Sequence, residues 1–538
     1  MEEPWDWVII GSGFGGSVAG LRLSQKGYRV LMLEKGKRFG PEDFPKTNWQ
    51  LRKWLWSPRF GCRGLFQISF FRHLTAFSGV GVGGGSLVYA NTLPTPPREF
   101  FEASSWAHLA DWEQELAPHY DTAKGMLGAT ETPFRTPPDE ALARLAVSRG
   151  QEELFRATQV GVFFGEEGNE GEPVPDPYFG GKGPVRSGCT ACGGCMIGCR
   201  VGAKNSLDKN YLYLAEREGL TILPETEAMA VRRLEEGGYR IETRSTKAKP
   251  WWRKGSSMAT VQAKRVVFAG GVLGTVPLLL QMQADAEGLP NLSPRLGSQV
   301  RTNSEALLGV TTQDRKADLS QGIAIGSILQ TDARSHLEPV RYPAGSGFFR
   351  LLMAPHAPGK TFAKRLFGSL KNFARRPWAW IRVYLVRDWA KSTSILLYMR
   401  TEDATLNLGL GRSGRNGRST GAAAVRTAPG TGHPPTANLP EATELLQGMS
   451  RELDGVGGSL VTEAVMGIPS TAHVLGGCTM GATAGEGVID AQHRLFGHPD
   501  CLVVDGSAIS ANPGVNPSLT ITAMAERALS AIPAKGKG

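Results

Sequence analysis

The chain has 538 residues, 41% hydrophobic and 20% charged, with a formal net charge of +10 at pH 7. This composition excludes a disordered chain and is typical of a loop-rich globular enzyme with more than one domain. Uncharged runs of near-membrane length are broken by glycine and proline, so we expect no bilayer-spanning helix. The first residues carry no basic region followed by an apolar one, so we expect no secretion signal and a cytoplasmic location.

The first forty residues carry a dinucleotide-binding pattern. It consists of an apolar strand, a glycine-rich turn, a helix, a second strand and an acidic residue: Val8–Ile10; Gly11, Gly13, Phe14, Gly15 and Gly16; Ser17–Gln25; Arg29–Leu33; and Glu34. Gly11 permits a tight turn, Gly13 lets the backbone approach a pyrophosphate, and Gly16 lets helix and strand pack closely. The helix N-terminus favours the phosphates, and Glu34 is placed to accept hydrogen bonds from a ribose.

A second glycine-rich segment follows an aromatic-rich stretch, residues 41–77, which we expect to form a connecting lid. Five of the seven residues from Gly79 to Gly85 are glycine, and Ser86 follows them. So many glycines prevent ordinary packing but let a backbone wrap a flat ligand. After a dinucleotide fold, this segment is expected to contact the remainder of the cofactor.

Four cysteines fall within eleven residues, with the spacing C-x2-C-x2-C-x3-C: Cys189, Cys192, Cys195 and Cys199. This spacing equals that of a bacterial iron–sulfur run, although Arg200 stands where proline normally follows. Three interpretations stay open: an iron–sulfur cluster that relays electrons, a structural zinc site, or cysteines that only brace the segment Gly202–Ser206.

Residues 221–265 alternate short strands with turns, which is typical of an antiparallel meander inserted in the nucleotide fold. The chain then returns through an apolar strand into Gly270, a second approach to the cofactor. Apolar stretches at Ile323–Gln330, Phe348–Met353 and Ser394–Thr401 predict strands of one antiparallel sheet in a substrate domain.

Residues 360–391 form a basic segment with interleaved aromatic residues. It contains nine Lys and Arg residues and one acidic residue, Asp388. Apolar residues at 366, 367, 370 and 373 fit an amphipathic helix. Such a surface suits an anionic membrane face, and the alternative is a solvated basic cover over the substrate cavity. No RNA-binding signature is present, so we expect no nucleic-acid partner.

The last seventy residues carry the candidate catalytic groups. His473 precedes a glycine-rich turn, and Asn516 lies about forty residues further on. Asn516 can cap a helix whose first residue is Pro517, which predicts a helix to about Ser530. Asp505 and Gly506 follow an apolar strand, Cys501–Val504.

These motifs together resemble the glucose–methanol–choline (GMC) flavoprotein family, and most of all its bacterial cholesterol oxidase branch. The likeness is densest at residues 7–36, 78–102, 264–276 and 471–530, where the sequence is similar to the family's GVGGGSLV, HPxGGxxMG and GVNPxxTI motifs. Val474 replaces the frequent proline of the second motif, and Gly271 and Val276 depart from an AAGAxGTP-type signature.

The resemblance implies FAD as cofactor, with His473 and Asn516 facing its reactive edge and Asp505 helping to hold it. It also implies a buried glutamate that moves a proton during double-bond isomerisation, for which Glu338 is the candidate. The full set of cofactor-contacting residues expected is Gly11, Gly13, Phe14, Gly15, Gly16, Glu34, Gly79, Gly83, Gly84, Gly85, Ser86, Gly270, Asp505, Gly506, Asn516 and Pro517.

The expected fold class is α/β: a Rossmann-like FAD-binding domain with a substrate domain built on an antiparallel sheet covered by helices. We expect the FAD-binding domain to use residues 1–40, 78–130, 186–310 and 471–538, and the substrate domain residues 311–470.

The predicted function is oxidation of an alcohol CH–OH group, on a sterol or another apolar alcohol, with oxygen as electron acceptor. Two alternatives remain: a dehydrogenase that passes electrons through the cysteine segment to a carrier, and a catalytically silent, lipid-binding flavoprotein.

Overall fold

The computed structural model describes residues 3–247, 257–411 and 425–536. Two large sheets organise the described residues, with helices packed against both. The α-helices are Phe14–Gln25, Leu51–Trp54, Arg98–Phe101, Trp112–Met126, Pro137–Ser148, Tyr211–Arg217, Val272–Ala284, Phe362–Arg375, Pro377–Leu385, Trp389–Ser392, Pro440–Glu452 and Ser518–Ser530. Among these helices, none combines the length and the apolar character needed to cross a bilayer.

The first large sheet, called the mixed sheet, has a parallel half. In spatial order its parallel strands are Thr221–Leu223, Val30–Leu33, Trp5–Ile10, the end of Met258–Phe268, and His498–Val503. In chain order this arrangement is 3-2-1-4-5, the order of a Rossmann-type sheet. Ligands of such sheets bind beyond the carboxyl ends of the strands at the point where the order reverses, which is here beside Ile10 and Phe268.

The predicted meander forms the other half of the mixed sheet. Strands Thr226–Arg233 and Tyr239–Ser245 pair antiparallel with each other, and the second pairs with the beginning of Met258–Phe268. The same long strand therefore belongs to the meander at its start and to the parallel sheet at its end. The predicted antiparallel meander is confirmed from Thr226 onwards, whereas Thr221–Leu223, which the prediction included, pairs in parallel with Val30–Leu33.

The glycine-rich turn joins the first strand to the first helix by close backbone packing. A Cβ at Gly16 would lie 2.1 Å from the Gly11 carbonyl oxygen, and one at Gly15 would lie 1.8 Å from that of Val504. The helix begins at Phe14, three residues earlier than predicted, because both glycines are accommodated inside its first turn.

The second large sheet, called the antiparallel sheet, is confirmed as antiparallel throughout. In spatial order its strands are Met353–Pro355, Gly455–Leu460, Ala306–Thr312, Thr393–Arg400, Ser335–Val340, Ser327–Asp332 and Phe155–Ala157. Because Ala306–Thr312 is a central strand, we propose a domain boundary before Ala306, earlier than the predicted boundary at 310/311. The other domain limits stay predictions.

One of the three predicted strands in this region is wrong. Residues Phe348–Leu352 form a 3-10 helix, and the strand begins only at Met353. Phe348 and Phe349 are adjacent yet both pack on Trp54, at ring-centroid distances of 5.0 and 5.7 Å. A strand would send neighbouring side chains to opposite faces, so this shared aromatic partner requires a tighter turn.

The predicted lid, residues 41–77, packs through Trp54, which is fully buried and stacks on Phe66 at 5.0 Å. Its strands Phe66–Phe70 and Thr75–Gly79 pair antiparallel, and the second pairs in parallel with Ser470–Thr471, just before His473. The lid segment is therefore attached directly to the chain that carries the candidate catalytic histidine.

Candidate active site

A cavity of about 600 Å³ runs from the glycine-rich turn of the mixed sheet to the antiparallel sheet. Most of the predicted site residues line it: Gly11, Gly13, Phe14, Gly15, Glu34, Gly79, Gly84, Gly85, Gly270, His473, Asp505, Gly506, Asn516 and Pro517. Residues from the two ends of the chain thus meet around one space, at the reversal point that the sheet order indicates.

Glycine backbone forms the centre of the dinucleotide end of this cavity. Gly11 has φ +106°, and a Cβ there would lie 2.3 Å from the Ala269 carbonyl oxygen. A Cβ at Gly84, where φ is +51°, would lie 2.7 Å from the Gly13 Cα, so the two glycine-rich segments touch. By contrast, a Cβ at Gly13 would meet nothing within 4 Å. Gly13 therefore borders open space that a pyrophosphate can fill, next to the N-terminus of the helix Phe14–Gln25.

Glu34 lies at the cavity wall and is held by protein donors. Its Oε2 accepts from the Ser12 hydroxyl at 2.7 Å and the Ser12 N–H at 3.2 Å, and its Oε1 accepts from the Gly36 N–H at 2.8 Å. Burial raises the pKa of Glu34 above its ordinary value, although these hydrogen bonds oppose the shift. The fixed carboxylate is oriented before any ribose arrives, as the predicted role requires.

Gly16, Gly83, Ser86 and Glu338 lie outside the cavity wall. Gly16 serves helix–strand packing. Gly83 has φ +108°, its carbonyl oxygen accepts from the Ser86 hydroxyl at 2.7 Å, and that hydroxyl accepts in turn from the Leu207 N–H at 3.0 Å. Gly83 and Ser86 therefore stabilise the conformation of the second glycine-rich segment without lining the cavity.

Asp505 organises the second approach of the chain to the cofactor site. Its Oδ2 accepts from the Gly271 N–H at 2.8 Å and from the Thr275 hydroxyl, and its Oδ1 accepts from Ser507. Gly271 has φ +71°, a conformation that favours glycine, and it precedes the helix Val272–Ala284. Burial raises the pKa of Asp505, and the hydrogen bonds from Ser507 and Thr275 oppose that shift.

His473 is paired with a carboxylate that the sequence analysis missed, Glu305. The His473 Nδ1 lies 2.8 Å from the Glu305 Oε2, and the Glu305 Oε1 accepts from the Ala472 N–H at 2.9 Å. Because a carboxylate only accepts, we assign the proton of the neutral ring to Nδ1, which leaves Nε2 as an unprotonated base.

The segment that carries Glu305, residues 301–305, is hydrogen-bonded to the chain on both sides of the site, next to His473 and next to Asn516. Arg301 and Leu475 exchange two backbone hydrogen bonds, at 2.7 and 3.0 Å, and Asn303 Nδ2 donates to the Val515 carbonyl at 2.8 Å. The residues 301–305 are all buried polar residues directly before an apolar strand. That unbroken polar run is the sequence signal by which this segment could have been found.

Asn516 lines the cavity, is buried, and has a side-chain oxygen without a hydrogen-bond partner in the described residues. The predicted helix cap by Asn516 is therefore wrong: Pro517 occupies the cap position, and the helix begins at Ser518. An unsatisfied buried amide oxygen has a free-energy cost, so the position of Asn516 is not explained by its own hydrogen bonds.

Glu338 is buried and does not line the cavity, whereas Val340 on the same strand and Leu397, the cross-strand partner of Glu338, do. Both carboxylate oxygens of Glu338 lack a hydrogen-bond partner within criteria in the described residues. Burial raises the pKa of Glu338 to about 8; Asn516 opposes this shift and Glu305 adds to it. His336 Nε2 lies 3.7 Å from the Glu338 Oε1, and burial lowers the pKa of His336 to about 3. At neutral pH this pair is thus a neutral imidazole beside a mostly protonated carboxyl.

The far end of the cavity is an apolar chamber. Aromatic and aliphatic side chains form its wall: Phe66, Phe77, Phe349, Met353, Trp389 and Leu397. This chamber comes from the lid segment, the 3-10 helix and the antiparallel sheet. A chamber of this chemistry excludes water from the face of His473 and accepts a bulky apolar molecule with one polar end.

The four clustered cysteines border a separate, small cavity of about 20 Å³, room for roughly one water molecule. All four thiols are free, and no group of three or more His, Cys, Asp or Glu among the described residues is arranged to hold a metal ion. As placed, the residues do not fit an iron–sulfur cluster, and we derive no electron-transfer step through them. The iron–sulfur and zinc hypotheses stay predictions from the spacing.

The cysteine segment is tied to the second glycine-rich segment by Lys204. The Lys204 Nζ donates to the carbonyls of Leu87, Tyr89 and Cys195 at 3.1, 2.9 and 2.8 Å. Burial lowers the pKa of Lys204 to about 7. These contacts support the bracing interpretation of the cysteine run.

Comparison with known proteins places the chain among flavoenzymes. The family model described as FAD dependent oxidoreductase matches residues 6–323, and the model described as GMC oxidoreductase matches residues 437–525. A cholesterol oxidase of Acinetobacter baumannii is 41% identical over 99% of this chain and 95% of its own. A cholesterol oxidase of Mycobacterium tuberculosis is 44% identical over 100% of this chain and 92% of its own. The crystal structure of pyridoxine 4-oxidase from Mesorbium loti covers 98% of both chains with a TM-score of 0.60, at 15% identity, so that likeness concerns the fold alone.

Proposed function

Because this chain belongs to the GMC family of FAD-dependent oxidoreductases, we propose that it oxidises the hydroxyl of a sterol such as cholesterol to a ketone, with oxygen as the final electron acceptor. The observation that carries this proposal is the cavity, in which a carboxylate-paired imidazole stands between an open glycine turn and an apolar chamber. Relatives named cholesterol oxidase, 41% and 44% identical over nearly the whole chain, support the substrate class.

FAD fits the mixed-sheet end of the cavity, where Gly13 borders free space and Glu34 is fixed for a ribose. FAD held there would supply the redox chemistry, as acceptor of the carbon-bound hydrogen with its electron pair and as donor of those electrons to oxygen, with hydrogen peroxide as the product. The residues of this chain bind, orient and deprotonate the alcohol.

His473 is the proposed general base. Its Nδ1–H donates to Glu305, so Nε2 takes the hydroxyl proton as the C–O double bond forms. The resulting imidazolium is stabilised by the Glu305 carboxylate, which acts as a positioning residue because it reaches the substrate only through His473. Such charge-assisted hydrogen bonds are about twice as strong as neutral ones.

Asn516 is the proposed partner of the substrate oxygen. Asn516 and His473 line the same cavity. An amide offers both a donor and an acceptor, so it can hold the alcohol and also the ketone that replaces it. The apolar chamber keeps the remainder of the molecule out of water.

We propose Glu338 as the proton carrier of a second step, in which the double bond of the 3-oxosteroid product moves into conjugation with the ketone. The carboxylate form takes a proton from one ring carbon and returns it to another, so atoms and electrons balance without a co-reactant. With a pKa of about 8, the carboxyl is mostly protonated at neutral pH and keeps a minor carboxylate form, so it can both give and take a proton. Because Glu338 does not line the cavity, its side chain must turn into it for this step.

Turnover of purified holoenzyme with cholesterol in detergent tests the proposal. Peroxide should form, and His473→Ala should lower kcat by about 100- to 10,000-fold while the enzyme keeps its flavin. Glu338→Gln should oxidise cholesterol but accumulate the unconjugated ketone, seen as missing ultraviolet absorbance of the enone. An enzyme that turns over small alcohols and ignores cholesterol contradicts the substrate assignment.

A sterol resides in lipid, so the proposed activity also requires contact with a lipid surface. We propose that this contact is peripheral, since none of the described helices can span a bilayer.

A further inference from the structure

Two consecutive surface helices, Phe362–Arg375 and Pro377–Leu385, expose a row of large apolar side chains. The most exposed are Phe362 (55%), Phe367 (72%), Leu370 (59%), Trp378 (80%) and Leu385 (77%). Large apolar side chains exposed on two consecutive surface helices are typical of a surface that meets a partner. We call these five residues the apolar patch.

The opposite faces of the two helices fix them to the protein body. Trp380 and Val383 are buried against Val456 of the antiparallel sheet. Arg365 donates to the carbonyls of Gly359, Val465 and Met466, at 2.8 to 3.1 Å. The apolar patch is therefore held outward by a rigid support.

Positive charge surrounds the apolar patch. Of the nine Lys and Arg residues between 360 and 391, only Lys391 has a carboxylate within ion-pair distance in the part of the chain that the structure describes, namely Asp318. Lys364, Lys371 and Arg375 are exposed on the first helix. Unpaired cations beside inserted aromatic residues complement anionic lipid headgroups above an acyl layer.

The apolar patch adjoins the wall of the substrate chamber. The Tyr384 hydroxyl donates to the Met353 carbonyl at 2.8 Å, and Arg350 donates to the Val386 carbonyl at 2.8 Å. Met353 and the neighbouring Phe349 line the chamber, whereas Leu351 between them is 61% exposed. The second helix is therefore hydrogen-bonded directly to the segment that forms part of the chamber wall.

We propose that these two helices dock the enzyme on the surface of an anionic lipid bilayer, with the apolar patch inserted at the boundary between headgroups and acyl chains. The purpose of docking rests on the proposed sterol oxidation, because it brings the chamber to the layer that holds the substrate. Docking itself needs no turnover, so the two proposals can fail separately.

The test is flotation of the holoenzyme with vesicles of phosphatidylcholine alone and of phosphatidylcholine with phosphatidylserine. Wild type should bind the anionic vesicles, and added salt should weaken that binding. Neutralising Lys364, Lys371 and Arg375 to Gln should weaken it about 100-fold, since each basic residue near such a surface contributes about a factor of five. Phe367→Ser with Trp378→Ser should reduce binding to both kinds of vesicle.

A matched control is Phe60→Ser with Phe70→Ser, because these side chains are 83% and 66% exposed outside the basic segment. This control should float like wild type, and every variant should oxidise detergent-dispersed cholesterol at the wild-type rate. Wild type that does not float, or patch variants that float unchanged, would overturn the docking proposal. The docking proposal would also be overturned if the wild type were a dimer and the patch variants were monomers that still bound vesicles. That result would make the apolar patch a contact between two copies of the chain. Flotation without cholesterol oxidation in detergent would instead refute the proposed activity.

Discussion

Replacement of Glu305 by Gln tests whether Glu305 fixes the proton of His473 on Nδ1 and so leaves Nε2 free to act as the base. The two carboxylate oxygens accept from two donors, the Ala472 N–H at 2.9 Å and the His473 Nδ1 at 2.8 Å. A glutamine side chain of the same shape has one acceptor and one donor end, so it can serve only one of them.

Each orientation of the new amide has a cost. If its NH2 faces His473, the ring must carry its proton on Nε2, and the base that we place towards the alcohol is lost, a loss of about 100- to 10,000-fold. If its oxygen faces His473, the buried Ala472 N–H is left unsatisfied, at about 1–3 kcal/mol, and the imidazolium loses its charged partner. The first orientation satisfies both backbone and ring, so we expect it to dominate and kcat to fall at least about 100-fold.

The assay is steady-state peroxide formation with detergent-dispersed cholesterol, and flavin content is measured on the same samples. Glu305→Gln should keep its flavin, because Glu305 lies outside the dinucleotide end of the cavity. The same change introduced beside His473→Ala should have little further effect, since the two residues act as one unit. The reasoning would be refuted if Glu305→Gln lowered kcat by the same factor in the wild type and in His473→Ala. It would also be refuted if Glu305→Gln alone kept the wild-type kcat.

Three further predictions concern stability, cofactor retention and the cysteine segment. Because the folded-state pKa of Glu338, about 8, exceeds its ordinary 4.5, the stability contributed by this residue is fully present below pH 4.5 and is lost as pH rises through 8. Glu338→Gln should therefore gain up to a few kcal/mol in free energy of unfolding over wild type between these pH values, which denaturant titration across pH would show. Gly13→Ala should fold normally but retain little FAD, since its Cβ would point into free space of the cavity. The control is Gly125→Ala, because Gly125 is exposed on a helix and a Cβ there would also meet nothing within 4 Å. This control should retain FAD normally, and the flavin-to-protein absorbance ratio of the two variants measures the difference. Cys192→Ser, at the exposed thiol of the cluster, should leave peroxide formation unchanged; loss of turnover together with loss of bound iron would support the relay hypothesis instead.

The elements that the sequence predicts best are those in which backbone sterics dictate residue type. Gly11 needs its positive φ, and Gly16 leaves no space for a side chain against Gly11. Such requirements are local, so they are visible in a short window of sequence. The pairing of His473 with Glu305 spans 168 residues. The polar run 301–305 marks the segment of Glu305, but no local pattern shows that this segment contacts His473.

The wrong predictions have a common cause. Phe348–Leu352 has the apolar character of a strand, yet its shape follows from the packing of Phe348 and Phe349 on Trp54, nearly 300 residues away in the chain. Asn516 has the local chemistry of a helix cap, but it lines the cavity and leaves the cap position to Pro517. In both cases tertiary contacts override local propensity.

The most direct test of the proposed reaction is anaerobic mixing of the holoenzyme with cholesterol while the flavin absorbance is followed. The proposal predicts that the absorbance bleaches in the wild type, returns when oxygen is admitted, and bleaches at least about 100-fold more slowly in His473→Ala. Flavin that stays oxidised in the wild type, or bleaches at the same rate without the imidazole, would contradict it.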